Sequence, residues 1–173
     1  FSARYGHLGF TLAEETRQLM QSMVVAGEVD YLVPERVWAE LFKALKEQTP
    51  SAFFHTLKDC TALEKIFPEI NCLFGVPQPE KHHPEIDTGL HSMLCLEQAA
   101  QLSASPEVRF AALVHDLGKG LTPKGLWPHH YGHEKNGLHA LEKLCARLRV
   151  PNGFKTLAIH VMQYHTHCHK AFE

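Results

Sequence analysis

Residues 110–120 read FAALVHDLGKG and combine apolar residues with a histidine–aspartate pair and a lysine. The apolar residues recur at helical spacing and predict a buried helix: Phe110, Leu113, Val114 and Leu117. His115 and Asp116 follow at the C-terminal end of that helix, and Gly118 ends it. A buried helix end can direct an imidazole and a carboxylate at one cation, and the ammonium of Lys119 can then meet a phosphate oxygen. The alternative is an ordinary helix terminus, with His115 on the helix dipole and Asp116 in solvent.

Three further histidines strengthen the cation interpretation, because each lies on a different predicted helix. His91 opens the preceding helix, His133 opens the following one, and His165 lies late in the last one. Histidines and a carboxylate from separate helices of a bundle form a metal cage. Nitrogen and oxygen donors without a thiolate favour divalent Mn, Fe, Co, Ni, Zn or Mg. Open positions on such an ion admit water and substrate, whereas a structural clip without catalysis needs a closed shell of four ligands.

The composition is that of an ordinary globular chain, since 45% of its 173 residues are hydrophobic and 21% are charged. No apolar run approaches the ~20 residues that cross a bilayer, so no membrane association is expected. The five cysteines form no C-x-x-C pair, which favours a reducing cytosol over a disulfide framework. Nine of the fourteen histidines follow position 101, together with nine Lys and Arg against five Asp and Glu. This mild positive charge suits a phosphate-bearing partner.

Helix signals recur along the whole chain and predict an all-α fold. Helix starts are indicated by a capping box at Thr11 and Glu14 and by four later residues: Pro34, Pro50, Thr88 and Ser105. The last two helices are expected over about 133–150 and 151–169. Residues 76–87 contain three prolines and no periodicity, so they are predicted to form the loop between two helical subdomains. Residues 118–132 carry four glycines and two prolines, which predicts a loop long enough to be functional.

The order H…HD…H…H, with Gly-Lys after the HD, resembles the HD-domain metal-dependent phosphohydrolases. Longer strings resemble the bacterial CCA-adding enzymes, which are tRNA nucleotidyltransferases that carry a C-terminal HD domain. Those strings are ARYGHLGF (3–10), VPERVW (33–38), FPEINCLFGVP (67–77), HHPEIDTGLH (82–91), LVHDLGKGLTP (113–123), LWPHHYGH (126–133) and LRVP (148–151). They extend over nearly the whole chain and are unusual enough to be specific.

The resemblance implies two domains. Residues 1–75 are implied to be neck and body helices, in which Glu35 and Arg36 belong to a neck motif that supports a catalytic head. Residues 76–173 are implied to be an HD domain, truncated at its C-terminus. In that family a head with paired aspartates adds CCA. This chain begins about where the neck would begin, so we expect a fragment that adds no CCA alone. Both a monomer and a homodimer remain open.

The resemblance also implies the chemistry of the HD domain. That chemistry is hydrolysis of 2′,3′-cyclic nucleotides and 2′-nucleotides together with phosphatase activity, supported by Ni, Mg or Mn. Its substrates would be small nucleotides or the tRNA 3′ end. His115 and Asp116 match the HD dyad and are predicted to be catalytic together with Lys119. His91 matches the leading histidine ligand, and His133 and His165 fit later ligands of the same ion or of a second one.

Other histidines have weaker links to the site. His129 and His130 are candidates for substrate contact, with plain surface residues as the alternative. His82 and His83 are predicted to be structural. Many HD proteins add a further Asp downstream, and none follows Asp116 here. The rival hypothesis is therefore a non-catalytic tRNA-binding module with an incomplete metal site.

Overall fold

A computed structural model describes residues 1–81 and 83–170, with side chains described through His167. The described part of the chain is helical and contains no strand, only one isolated bridge between Pro77 and Asp87, which confirms the all-α prediction. The helices are α1 (Ser2–Tyr5), α2 (Glu14–Val25), α3 (Pro34–Leu45), α4 (Ser51–Asp59), α5 (Ala62–Ile66), α6 (Pro68–Asn71), α7 (Thr88–Leu102), α8 (Pro106–Val114), α9 (His133–Leu148) and α10 (Asn152–Lys170). Short 3₁₀ turns occupy Gly6–Leu8, Glu28–Tyr31, Leu117–Leu121 and Lys124–Leu126. Among the described helices, none has the length and apolarity to cross a membrane.

The helix starts follow the predicted signals with two exceptions. Ser105 caps α8 by accepting the Val108 N–H, as predicted. The α7 cap is Asp87, because its carboxylate accepts the Leu90 N–H at 2.9 Å. The predicted cap, Thr88, instead uses its hydroxyl to donate to a loop carbonyl. The Thr11 capping box does not form, since α2 begins after Ala13 without a side-chain cap.

One hydrophobic core runs through the whole helical assembly. α8 lies at its centre and packs against α7 and α10, while α9 packs against α10 and the 3₁₀ turn Leu117–Leu121. Trp38 of α3 joins the N-terminal helices to this centre, with its ring edge-on to Phe110 at 5.6 Å and to Phe154 at 5.0 Å. The core is therefore continuous between residues 24 and 162.

A buried arginine ties the ends of three helices together. Arg109 of α8 is only 7% exposed. Its guanidinium donates to four backbone carbonyls within 3.0 Å, which belong to the C-terminal regions of α3 and α7: Leu45, Glu47, Ala100 and Ser103. Carbonyls at helix C-termini lack helical partners, and a cation there also opposes the helix dipole.

Replacing this arginine is expected to weaken the whole fold. Arg109→Met keeps the length of the side chain but leaves four carbonyls without their donor, so we expect unfolding to become easier by about 3 kcal/mol. Arg109→Lys should recover little, because an ammonium cannot reach the same four acceptors in a planar fork. Urea unfolding followed by circular dichroism measures both variants. Equal midpoints for Arg109→Met and the parent would contradict this role.

Candidate metal centre

The chain turns sharply where the sequence places the HD pair. α8 ends at Val114 and not at Leu117 as predicted, and the backbone tightens into the 3₁₀ turn Leu117–Leu121. This turn directs the carboxylate of Asp116 into the interior, where it is 1% exposed. His115 lies beside it, with Nε2 at 3.1 Å from Asp116 Oδ2. The alternative of a solvated aspartate at a plain helix end is therefore wrong.

All three partner histidines converge on the same carboxylate. His133 Nε2 lies 3.2 Å from Asp116 Oδ1, and His165 Nε2 lies 3.4 Å from the same oxygen. His91 Nε2 is 3.6 Å from Oδ2, on the side of His115. The structure thus brings the five predicted metal ligands into one cluster formed by α7, the end of α8, α9 and α10.

The other ring nitrogen of each histidine is already engaged. Every Nδ1 faces a carbonyl or carboxylate oxygen at 2.5–3.0 Å, and these oxygens belong to Glu85, Ala112, His130 and Met162. A neutral imidazole that donates through Nδ1 presents a lone pair at Nε2. Among the residues that the structure describes, no group of acceptable hydrogen-bond geometry faces either of the two buried oxygens of Asp116. Lone pairs that converge on a buried carboxylate repel one another unless a cation lies among them.

The spacing of the donors suits a metal ion. Two donors at about 2.1 Å from one ion, 90–110° apart, lie about 3.0–3.4 Å from each other. His133 Nε2 and His165 Nε2 are 3.3 Å apart, and the contacts of Asp116 with His115, His133 and His165 fall in the same interval. The residues therefore fit a divalent ion with nitrogen and oxygen ligands.

The electrostatics of the cluster favour added positive charge. Burial would raise the pKa of Asp116, but the facing imidazoles, His115 first, hold it well below its ordinary value. Burial would lower the pKa of His165, but its close contact with the Asp116 carboxylate raises it. Burial lowers the pKa of His91 in spite of Asp116, so that ring favours its neutral form. The carboxylate stays ionised and attracts a cation.

Lys119 is drawn into the cluster. Its ammonium is 2.7 Å from Asp116 Oδ2 and donates to Gln78 Oε1 at 2.8 Å. The side chain is nearly buried, and both of its described partners are protein groups. An ammonium has three hydrogens, which leaves one for a further acceptor.

Two glycines let the backbone carry His133 to the carboxylate. A Cβ on Gly118 would lie 1.9 Å from the His133 carbonyl oxygen, and one on Gly137 would lie 2.7 Å from the Gly118 nitrogen. Helix α9 and the turn after α8 thus touch backbone to backbone at these positions. Only glycine permits this approach.

The remaining predicted residues lie outside the cluster. His129 is exposed and stacks on Tyr131 at 5.6 Å. His130 is buried, and its two ring nitrogens face the Thr122 hydroxyl and the Pro77 carbonyl at 2.9 Å, so both are occupied by protein groups. His83 lies against His91, with ring centroids 4.7 Å apart. His82 lies outside the described residues.

The neck motif residues lie at the surface of α3. Glu35 and Arg36 are both exposed, and Glu35 pairs with Arg149 at the end of α9. This pair links α3 to the HD part of the chain across the surface.

The sequence reasoning did not identify three polar residues that lie near the cluster. Cys95 lies one turn after His91 on α7, with Sγ 3.4 Å from His91 Nε2, and its spacing of four residues could have revealed it. Glu85 and Gln78 come from the loop before α7, where no periodicity marks them. Burial raises the pKa of the Cys95 thiol to about 11, so this group is a thiol at neutral pH.

Comparison with known proteins agrees with this arrangement. Residues 88–171 match the HD domain, and residues 9–73 match the family described as the probable RNA- and SrmB-binding site of polymerase A. Three proteins called multifunctional CCA protein match all 173 residues. They come from Teredinibacter turnerae at 62% identity, Methylococcus capsulatus at 63% and Shewanella frigidimarina at 59%. The chain spans about 42% of the length of these curated relatives.

The fold, the donor cluster and these matches thus define an all-α protein with an HD domain, preceded by helices that match a family described as a probable RNA-binding site. Along its full length the chain belongs to the family of the multifunctional CCA proteins, and it matches part of their sequence. The resemblance predicted from the sequence strings is therefore confirmed.

Proposed function

We propose that this chain carries a divalent-metal phosphohydrolase site centred on Asp116. Its expected substrates are nucleotides with a 2′,3′-cyclic phosphate or a 2′-phosphate, together with simple phosphate monoesters. The observation that carries the proposal is the convergence of four imidazole Nε2 atoms on one buried carboxylate. The matches to the HD domain and to multifunctional CCA proteins support it.

The residues of the cluster have separate roles in this proposal. His91, His115, His133 and His165 would hold the ion with neutral nitrogens, and Asp116 would supply the negative charge that retains it. When bound, a divalent ion polarises phosphoryl oxygens and makes water acidic enough to ionise near neutral pH. Nickel, magnesium and manganese are the ions that we would test first. Whether His133 and His165 take a second ion is decided by the binding stoichiometry.

Lys119 and a neighbouring groove would position the substrate. The free hydrogen of the Lys119 ammonium can meet a phosphoryl oxygen and offset its charge. A groove of about 480 Å³ begins at His91 and Glu85 and continues along α7 past Leu94 and Gln98. Its mostly apolar wall and the Gln98 amide suit a nucleoside whose phosphate would lie at the ion beside His91.

The natural partner would be tRNA, with residues 1–75 as neck and body and 76–173 as the HD domain. The relatives are named for CCA, and residues 9–73 match an RNA-binding family. In the whole protein, Glu35 and Arg36 would support the part that adds CCA, and the HD site would act on phosphate left at a damaged 3′ end. The reducing cytosol remains the expected compartment.

Hydrolysis of 2′,3′-cyclic AMP with added Mn²⁺ or Ni²⁺ tests the proposal. We expect turnover by the parent that rises with metal concentration. His115→Ala should lower the rate at least about 100-fold, because it removes a nitrogen donor and a neighbour of the ionised carboxylate. Lys119→Ala should lower the rate less than His115→Ala at saturating metal.

The matched control is His160→Ala, which removes an exposed histidine from α10. It should hydrolyse the substrate at the parent rate. Equal rates for the parent and His115→Ala would show that the activity comes from another site or from a contaminating phosphatase. A parent that shows no turnover at any metal concentration would contradict the proposal.

A second candidate function is RNA binding without catalysis. The match of residues 9–73 to an RNA-binding family favours it. Fluorescence anisotropy with labelled tRNA would then show binding that His115→Ala and added metal leave unchanged. Binding of this kind together with no hydrolysis by the parent would select this function over the phosphohydrolase.

A further inference from the structure

A closed ring of polar contacts surrounds one side of the metal centre. From Asp116 Oδ2 it passes through the Lys119 ammonium at 2.7 Å to Gln78 Oε1 at 2.8 Å. It continues from Gln78 Nε2 to Glu85 Oε1 at 3.2 Å and on to His91 Nδ1 at 2.5 Å. His91 Nε2 then returns to Asp116 at 3.6 Å. Two members of the ring, Gln78 and Glu85, come from the loop between α6 and α7.

We infer that Glu85, supported by Gln78, is a positioning residue that fixes the tautomer and direction of the His91 ring at the metal centre. This inference rests on the proposed metal site. It gives the loop, which was predicted to be a boundary between subdomains, a direct role at that site.

The contact between Glu85 and His91 has the chemistry that this role needs. An imidazole that donates Nδ1–H to a carboxylate keeps its lone pair on Nε2, and the carboxylate makes that nitrogen a stronger donor to a metal. Glu85 is largely shielded, with 14% of its side chain exposed, so solvent competes little for its oxygen.

The loop backbone holds Glu85 in place. Ile86 has a φ of 57°, a left-handed conformation that is uncommon for a β-branched residue. The Gln78 N–H donates to the Ile86 carbonyl at 2.8 Å, and the Ile86 N–H donates to the His83 carbonyl at 2.9 Å. These contacts close a compact turn and direct the Glu85 side chain toward α7.

Gln78 connects this turn to the other side of the centre. It is 2% exposed, and its amide donates to Glu85 while accepting from Lys119. Reversing the amide would place its NH₂ against an ammonium and its oxygen against a carboxylate, so only one orientation satisfies both partners. Gln78 therefore couples the position of Glu85 to that of Lys119.

Glu85→Ala and Glu85→Gln test the inference through two readouts besides activity. The first is the tautomer of His91 in the metal-free protein, read from imidazole ¹⁵N shifts. The second is affinity for Mn²⁺ by isothermal titration. We expect His91 to carry its proton on Nδ1 in the parent and to exchange between tautomers in Glu85→Ala. Mn²⁺ affinity should fall about 10- to 100-fold in Glu85→Ala and less in Glu85→Gln, which keeps an acceptor oxygen.

The control is Glu80→Ala, an exposed residue of the same loop, which should leave both readouts at parent values. Thermal melting identifies any variant that has lost its fold. If Glu85→Ala does not fold, both readouts are taken from Glu85→Gln, which preserves the size of the side chain. Parent-like Mn²⁺ affinity or an unchanged His91 tautomer in folded Glu85→Ala would overturn the inference. A parent that binds no Mn²⁺ would instead overturn the proposed metal site, while the tautomer still shows whether Glu85 fixes the ring.

Discussion

Asp116→Asn is expected to reduce affinity for Mn²⁺ or Ni²⁺ by more than about 100-fold. This loss exceeds what is usual for a residue that only hydrogen-bonds to a metal ligand. Asparagine has the same shape but no charge, and it presents an NH₂ to two of the facing imidazoles. The effect should be large because Asp116 is the only carboxylate among the five clustered ligands and is 1% exposed. Isothermal titration of the parent and the variant measures it.

The same substitution should leave the helical fold intact. Lys119 loses its ionic partner but keeps Gln78 at 2.8 Å, so we expect a lower melting temperature with an unchanged circular dichroism spectrum. Asp59→Asn, at the exposed end of α4, is the matched control and should bind metal as the parent does. A folded Asp116→Asn chain with parent affinity would show that the metal site lies elsewhere.

Gly118→Ala is expected to damage both stability and metal binding. The added methyl would lie 1.9 Å from the His133 carbonyl oxygen, and backbone atoms cannot yield as a flexible side chain does. Helix α9 must therefore move, which costs about 3 kcal/mol and withdraws His133 from Asp116. Urea unfolding and Mn²⁺ titration measure the two effects.

Gly125→Ala provides the matched control in the same connection between α8 and α9. A Cβ there meets nothing within 4 Å, so stability should change by less than about 0.5 kcal/mol. If Gly118→Ala unfolds at the same urea concentration as Gly125→Ala, the close approach of α9 is not as described.

The position of the histidines near helix ends explains why the ligand cluster could be predicted. His91, His133 and His165 each lie near one end of a long predicted helix, and antiparallel packing of neighbouring helices brings such ends together. Asp116 follows an apolar stripe that must be buried, and the tight turn after α8 then directs its carboxylate inward. The long strings shared with CCA-adding enzymes added the family, which spacing alone could not supply.

The parts that the sequence did not reveal depend on irregular backbone. Glu85 and Gln78 reach the centre through a turn with a left-handed Ile86, and no residue period describes such a turn. The cap of α7 was placed one residue late because Asp87 and Thr88 are both good capping residues, and only the loop bond from Thr88 to Val76 separates them. Lys119 follows Asp116 by three residues, a spacing that could have revealed their contact, but its second partner Gln78 comes from the same irregular loop.

Anomalous diffraction from crystals soaked in Mn²⁺ or Ni²⁺ tests directly whether Asp116 and the surrounding histidines hold a metal ion. We expect the strongest metal peak about 2.1 Å from an oxygen of Asp116 and from the Nε2 atoms of at least two of the four histidines. A strongest peak at an exposed histidine such as His129, with nothing at Asp116 under saturating metal, would contradict it.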